Sequence, residues 1–271
     1  RLSLRAADSG EHGAASWLGR RWGLAMPGAK PSEARAKEGT WYMAPDSCCM
    51  VILRGQLSHD YAIADHELTI EQYEQFNSHY RETYAVVLDQ FLARGVPGDC
   101  PAVLVSIYDA MQYCNWLSAK AGLPQEDLCY DEVGDGTLRA KSDYLRRKGY
   151  RLPTLEEWVA ACQAGAATPF SFGRDLDLLG AHAWYYSNSR SDGQNRARPV
   201  GQLKPNLLGL SDMYGNVWEW ATKVDDPDWS LFCGGSCDND PVDLEVVRQV
   251  HRKRPDAREH RIGFRIARSV R

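Results

Sequence analysis

Oxygen ligands and aromatic bulk are concentrated in one stretch of this chain, Gly209–Trp220, which reads GLSDMYGNVWEW. Its Asp-Met-Tyr-Gly-Asn run is a turn signal, because glycine supplies backbone angles that other residues avoid and Asp and Asn bond to their own neighbours. The next four residues, Val217 to Trp220, read as a strand. Alternation puts Trp218 and Trp220 on one face and Val217 and Glu219 on the other, from which Glu219 can point back toward Asp212. Two carboxylates beside free carbonyls in that turn are the donor set of a hard cation such as calcium. The same residues also suit plain turn chemistry and surface charge, and the tryptophan pair suits a core, so both readings stay open on spacing alone.

A second chemistry to weigh is that of thiols. The chain has eight cysteines, including the adjacent Cys48 and Cys49 and the close pair Cys233 and Cys237. None forms a CxxC, so there is no zinc-ribbon signature; reduced, buried thiols in a cytoplasmic protein are the expectation. The seven histidines show no HxxxH spacing of the kind an iron-binding helical site needs. A net charge of -4 and a pI near 6.0 give no overall attraction to nucleic acid or an anionic membrane. No apolar run approaches the roughly 20 residues of a membrane span, and the opening residues lack the continuous hydrophobic region of a signal peptide.

These groups must be positioned by a mixture of elements. Residues 1–38 read as an amphipathic helix carrying Ala14, Leu18, Trp22 and Leu24, then a linker with Pro27-Gly28 and Pro31-Ser32. Because the chain starts at Arg1 rather than Met, this segment is expected to be the tail of a preceding region of a larger protein. Residues 39–271 form the main domain. Cys49–Leu53 reads as a strand; Thr69 with Gln72 is a capping box before Ile70, Tyr73 and Phe76. Ser106 with Asp109 opens a helix whose buried stripe is Ile107, Ala110, Met111, Cys114 and Leu117. After a polar loop, 134–148, Thr154 and Glu157 cap a third helix that faces Trp158, Ala161 and Cys162 inward. Beyond Pro169 helix signals stop, and Arg261–Ala267 alternates like a final strand. The fold class is α+β, with short strands, a few helices and much ordered loop.

The ordered combination of Leu68-Thr69 with Tyr73 and Phe76, Val105-Ser106 with Asp109-Ala110 and Tyr113–Leu117, and Tyr150–Thr154 with Glu157-Trp158 continues through Pro199-Val200-Gly201, Pro205-Asn206 with Gly209-Leu210, Asp212-Met213 with Gly215–Trp220, Gly234-Gly235-Ser236 and Gly263-Phe264-Arg265. Together these motifs resemble the formylglycine-generating enzyme family, the sulfatase-modifying factor domain, a variant of the C-type lectin fold. The resemblance runs from about Trp41 to the C-terminus.

The resemblance implies one calcium held by Asp212, the carbonyls of Gly215 and Val217, and Glu219. It implies a second calcium, found in some members only, at Asp192 with the Gln194 carbonyl and Asn188. The family's enzymes hold copper with two cysteines after the Gly-Gly-Ser motif, and those positions are Asn239 and Leu244 here. Cu(I) needs soft thiolates, so copper is not expected, and Cys233 and Cys237 are too far apart along an extended strand to replace the pair. In this fold the segment after the motif lines the exposed face where enzymes hold a peptide. Here it carries Arg248, Arg252, Arg254 and Arg258, with Cys237, Trp218, Trp229 and Phe232 nearby, a set that could receive an acidic peptide or be a solvated loop balanced by its own acids. The expectation is a catalytically inactive module of a larger bacterial, cytoplasmic protein that recognises a protein or peptide ligand, with no nucleic-acid or membrane partner. A variable binding face over the last 50 or so residues is one version of it. The other expectation weighed is a metal-dependent oxidase using unrecognised ligands.

Overall fold

The computed structural model describes residues 8–22, 40–223, 230–246 and 250–270. Trp229 and Arg248 therefore lie outside the described residues. In chain order the strands are β1 (Trp41–Met43), β2 (Cys49–Leu53), β3 (Tyr61–Ala64), β4 (Tyr130–Gly134), β5 (Thr137–Ala140), β6 (Tyr150–Arg151), β7 (Arg190–Ser191), β8 (Gln194–Asn195), β9 (Trp218–Ala221), β10 (Ser230–Cys233), β11 (His251–Lys253), β12 (Ile262–Gly263) and β13 (Ala267–Ser269). They form a five-stranded sheet, β1-β2-β3-β13-β6, a four-stranded sheet, β11-β10-β9-β12, and two hairpins.

The larger sheet is buried on both faces. Along β2, Met50 and Ile52 join one hydrophobic cluster, while Val51 and Leu53 join the other. A two-residue side-chain period with core on each side explains why Cys49–Leu53 is an unbroken apolar run. The Ile107–Lys120 helix covers the first face through Ala110, Cys114 and Leu117, and the Leu155–Gln163 helix covers the second through Trp158, Ala161 and Cys162. Capping boxes start three helices, at Thr69, Ser106 and Thr154, each satisfying backbone donors that would otherwise cost about 1 kcal/mol.

The structure departs from the sequence reading in four places. The Tyr80–Phe91 helix went unread, because only Tyr80 and Leu88 of it are buried and its apolar stripe is thin. The polar stretch 134–148 belongs partly to the β4-β5 hairpin, where Asp135 and Gly136 turn the chain at positive φ. The terminal alternation is two strands: Ile262–Gly263 runs parallel to β9, and Ala267–Ser269 joins β3 and β6 in the other sheet. The N-terminal helix, Ser9–Arg21, buries Ser9, His12, Gly13, Ser16 and Gly19 rather than its larger apolar residues, and Trp22 is exposed. Among the described residues, no helix is long and apolar enough to cross a membrane.

Candidate functional site

The Gly209–Trp220 stretch folds as its residue types demand. Asp212, Gly215 and Asn216 all take positive φ, at 56°, 75° and 55°. At Gly215 any side chain is excluded, since a Cβ would sit 2.0 Å from the Trp184 carbonyl oxygen. Asn216 ties the turn together: its Oδ1 accepts from Arg198 N at 2.8 Å, and its Nδ2 donates to Glu67 Oε1 at 3.1 Å. Asp212 Oδ2 accepts the Gly201 amide at 2.6 Å.

β9 then carries Glu219 into the interior. Both its oxygens are taken by Arg265, each at 2.6 Å, and Oε2 also accepts Trp158 Nε1 at 2.9 Å. Arg265 reaches further, to the carbonyls of Ala64 and Ser211. Glu67, Asp212, Glu219 and Arg265 are all fully or almost fully buried. The centre thus holds three carboxylates against one guanidinium. Burial, followed by the charges of Asp212 and Glu219, pushes the Glu67 carboxyl well above its ordinary range, and burial raises Asp212 too. Burial works against the Arg265 charge, yet the surrounding carboxylates raise its pKa further. Two buried oxygens of this centre accept no hydrogen bond, Glu67 Oε2 and Asp212 Oδ1.

The sequence reading brought Asp212 and Glu219 together but missed Glu67 and the role of Arg265. Arg265 has one local signal, a guanidinium inside the otherwise apolar stretch Ile262–Ala267, whereas Glu67 stands beside Asp65 and His66 and has none.

Of the calcium ligands that the resemblance implies, Asp212 keeps an unpartnered Oδ1, whereas both Glu219 oxygens are already bonded to Arg265. Among the described residues, no group of three or more His, Cys, Asp and Glu side chains is arranged to hold a metal ion. In the second expected set the side chains have other partners. Asp192 is paired with Arg94 at 2.5 Å. Asn188 spends its amide locally, accepting from Tyr185 N and donating to Ala183 O, both at 2.8 Å. Gln194 lies in the exposed β7-β8 hairpin opposite Ser191.

After the Gly-Gly turn, Asn239 braces the chain, with its Oδ1 accepting from the amide and hydroxyl of Ser236, each at 2.9 Å. Leu244 is buried so closely on Gly235 that a Cβ there would lie 2.2 Å from its Cδ2. Cys233 and Cys237 belong to opposite clusters of the core. Cys233 Sγ donates to Glu219 O, whereas Cys237 Sγ accepts from Arg261 Nη1 at 2.8 Å. Burial pushes the Cys237 thiol up to about 12 despite the Arg261 charge, and raises Cys233 further. Both are protonated thiols at neutral pH.

On the four-stranded sheet, Trp218, Phe232 and His251 form an aromatic group. Trp218 meets Phe232 edge-on at 5.2 Å and His251 at 4.8 Å, and Phe232 stacks on His251 at 5.6 Å. Trp218 and Phe232 are half-buried and His251 is exposed. The cations around this group are internally balanced: Arg254 pairs with Asp256, Arg258 with Asp109, Lys253 with Glu259 and Arg261 with Asp238. Arg252 lies across from Leu231 in the β10-β11 register.

Comparison with known proteins accords with this geometry. The chain is 31% identical to the chaperone protein LppX of Paenibacillus barcinonensis over 165 residues, and 28% identical to the formylglycine-generating enzyme of Mycobacterium tuberculosis over 198. These matches take in 50% and 60% of the chain and 58% and 63% of those relatives' own lengths. The inactive C-alpha-formylglycine-generating enzyme 2 of Mus musculus is 30% identical over 144 residues, 47% of this chain and 46% of that protein. Among solved structures, Treponema denticola variable protein 1 superposes with a TM-score of 0.63 at 24% identity, over 85% of this chain and 98% of that one. PvdO from Pseudomonas aeruginosa gives 0.60 at 22% identity, over 89% and 100%. The model of the sulfatase-modifying factor enzyme 1-like domain matches residues 35–270, so this chain belongs to the formylglycine-generating enzyme-like family, with its α+β fold.

Proposed function

We propose that the chain is a non-catalytic member of this family that recognises a protein or peptide ligand, using the face around Trp218, Phe232 and His251. The observation that carries the reading is the use made of Asn239 and Leu244. One closes the Ser236 turn and the other packs on Gly235, so neither position is an open coordination site, and the remaining thiols of this region lie in separate clusters with their protons on. Soft thiolates are what Cu(I) chemistry requires. The half-buried aromatic group offers stacking area with little conformational entropy to lose on binding. Because the neighbouring cations are already paired, recognition by that face rests on aromatic contact, with charge setting orientation. The relatives include one named as inactive and one named as a variable protein, which accords with a scaffold that persists without the chemistry. A single calcium at the Asp212 turn belongs to the same reading, with Asp212 Oδ1 as its open carboxylate oxygen.

The test is Cu(I) loading under reducing conditions, followed by dialysis against a Cu(I) chelator and incubation with a cysteine-containing peptide pool in air. The expected result is no retained copper and no cysteine converted to an aldehyde by mass spectrometry. Stoichiometric copper, or an aldehyde on the peptide, would overturn the reading and support an oxidase using ligands of its own.

A further inference from the structure

The helix Ser9–Arg21 lies outside residues 35–270, the stretch the family model matches, yet it is seated in the domain at backbone contact. A Cβ on Gly13 would lie 2.5 Å from Gly209 Cα, one on Gly10 would lie 2.4 Å from Leu207 O, and one on Gly209 would lie 2.2 Å from Ser9 O. Glycines on both partners therefore permit the approach, as at a close helix crossing. The contact is also specific in its side chains: His12 stacks on Trp41 with ring centroids 3.7 Å apart, and Trp17 Nε1 donates to Gln202 O at 3.0 Å. The helix begins at Asp8, whose carboxylate accepts the Glu11 amide.

Where the helix sits connects it to the carboxylate centre. Arg20 lies over Gly201, whose Cβ would meet the guanidinium carbon at 2.7 Å, and the Gly201 amide is the donor to Asp212 Oδ2. The second gripped turn, Leu207–Gly209, runs directly into Ser211, whose carbonyl accepts from Arg265, and then Asp212. Both gripped loops thus end on atoms that hold the Asp212 turn.

We propose that the Ser9–Arg21 helix is a strap: docked on the face of Trp41, Gly201–Gln202 and Leu207–Gly209, it sets the geometry of the Asp212 turn, so that releasing the helix loosens the buried carboxylate centre. The surface it occupies fits a helix with a glycine face and a hydrogen-bonding tryptophan, which this chain supplies itself. Movement imposed on the N-terminal segment is thereby transmitted to the domain interior.

Amide hydrogen exchange of the full chain tests the coupling. Gly13→Leu drives a side chain into Gly209, whereas Ala14→Leu places the same side chain on the exposed face of the helix. In Gly13→Leu, residues 200–212 should exchange about tenfold faster or more while β2 and β3 keep their protection, as for local rather than global opening. Ala14→Leu should leave 200–212 unchanged, and a synthetic peptide of residues 8–22 should restore protection to Gly13→Leu. Loss of protection in the helix alone, with 200–212 unaffected, would overturn the proposal. So would an equal effect of Ala14→Leu. If Gly13→Leu loses protection everywhere, Trp17→Ala decides: faster exchange confined to 200–212 supports the strap, and no change there or a uniform loss sinks it.

Discussion

Among the described residues two buried guanidinium–carboxylate centres join distant segments, and they differ in charge balance. At Arg151–Glu157 one cation meets one anion: both Arg151 Nη atoms lie 2.6 Å from Glu157 oxygens, and the Thr154 amide and His59 Nε2 fill the remaining acceptor positions at 2.9 and 2.8 Å. Burial pushes the Glu157 carboxyl up, but the Arg151 charge and hydrogen bonds outweigh it and hold the carboxyl below its ordinary range. At Arg265 a side-on bidentate pair, through Nε and Nη2, serves Glu219, but Glu67 and Asp212 are crowded in beside it and keep one unpartnered oxygen each. The first centre is a charge-balanced clip between β6 and the Leu155–Gln163 helix, with Arg151 Nε left as a buried donor without a partner. The second carries surplus negative charge, which a buried site retains only by holding protons or gaining a cation.

The comparison breaks most visibly if each arginine is removed. Arg151→Met and Arg265→Met should each destabilise the protein by about 3–5 kcal/mol, the usual cost of orphaning a buried partner. Arg265→Met should be the worse of the two because three carboxylates lose their one cation. Urea unfolding checks both the size and the order, and equal losses would mean that Glu67 and Asp212 are already neutral.

A smaller effect separates the centres by pH, measured in EGTA. Glu157 has a depressed folded pKa, so its contribution is present above the ordinary glutamate range and lost as pH falls through the folded value. Glu67 has a raised folded pKa, so its contribution is full below the ordinary range and lost as pH rises through the folded value. Glu157→Gln should therefore cost most at neutral pH, with the difference from the parent shrinking toward acid. Glu67→Gln should gain on the parent as pH rises, and melting curves of the three proteins between pH 4 and 8 would show the two lines diverging in opposite senses.

The smallest expected effect concerns calcium. At 100 times its dissociation constant a ligand of the folded state adds about 2.7 kcal/mol, or roughly 5–10 °C in Tm for a chain of this size. Calcium should raise Tm in the parent and in Asp192→Asn, and leave Asp212→Asn unmoved. A response in Asp212→Asn equal to that of the parent would take the ion away from the Asp212 turn.

Much of the fold was legible because its signals are local. Thr69, Ser106 and Thr154 each announce a helix by what stands three residues later, and the stripe from Ile107 to Leu117 needs no knowledge of what it packs against. The order of the motifs identified the family, and the residue types at 239 and 244 stood in the chain itself. Tertiary structure alone decided who neutralises whom. Arg265 meets Glu219 across 46 residues, Asn216 meets Glu67 across 149, and Arg258 finds Asp109 across 149, taking Arg258 out of an apparent basic patch and into a pair. It also decided which face of the N-terminal helix is inside. Leu18 and Trp22 read as the apolar side, yet Gly13 is on the buried face, because backbone contact with Gly209 leaves no room there for a larger residue. Capping and periodicity act within a turn or two of chain and leave their mark on spacing. Charge pairing and close approach act between segments that meet only once the fold exists, so no spacing records them.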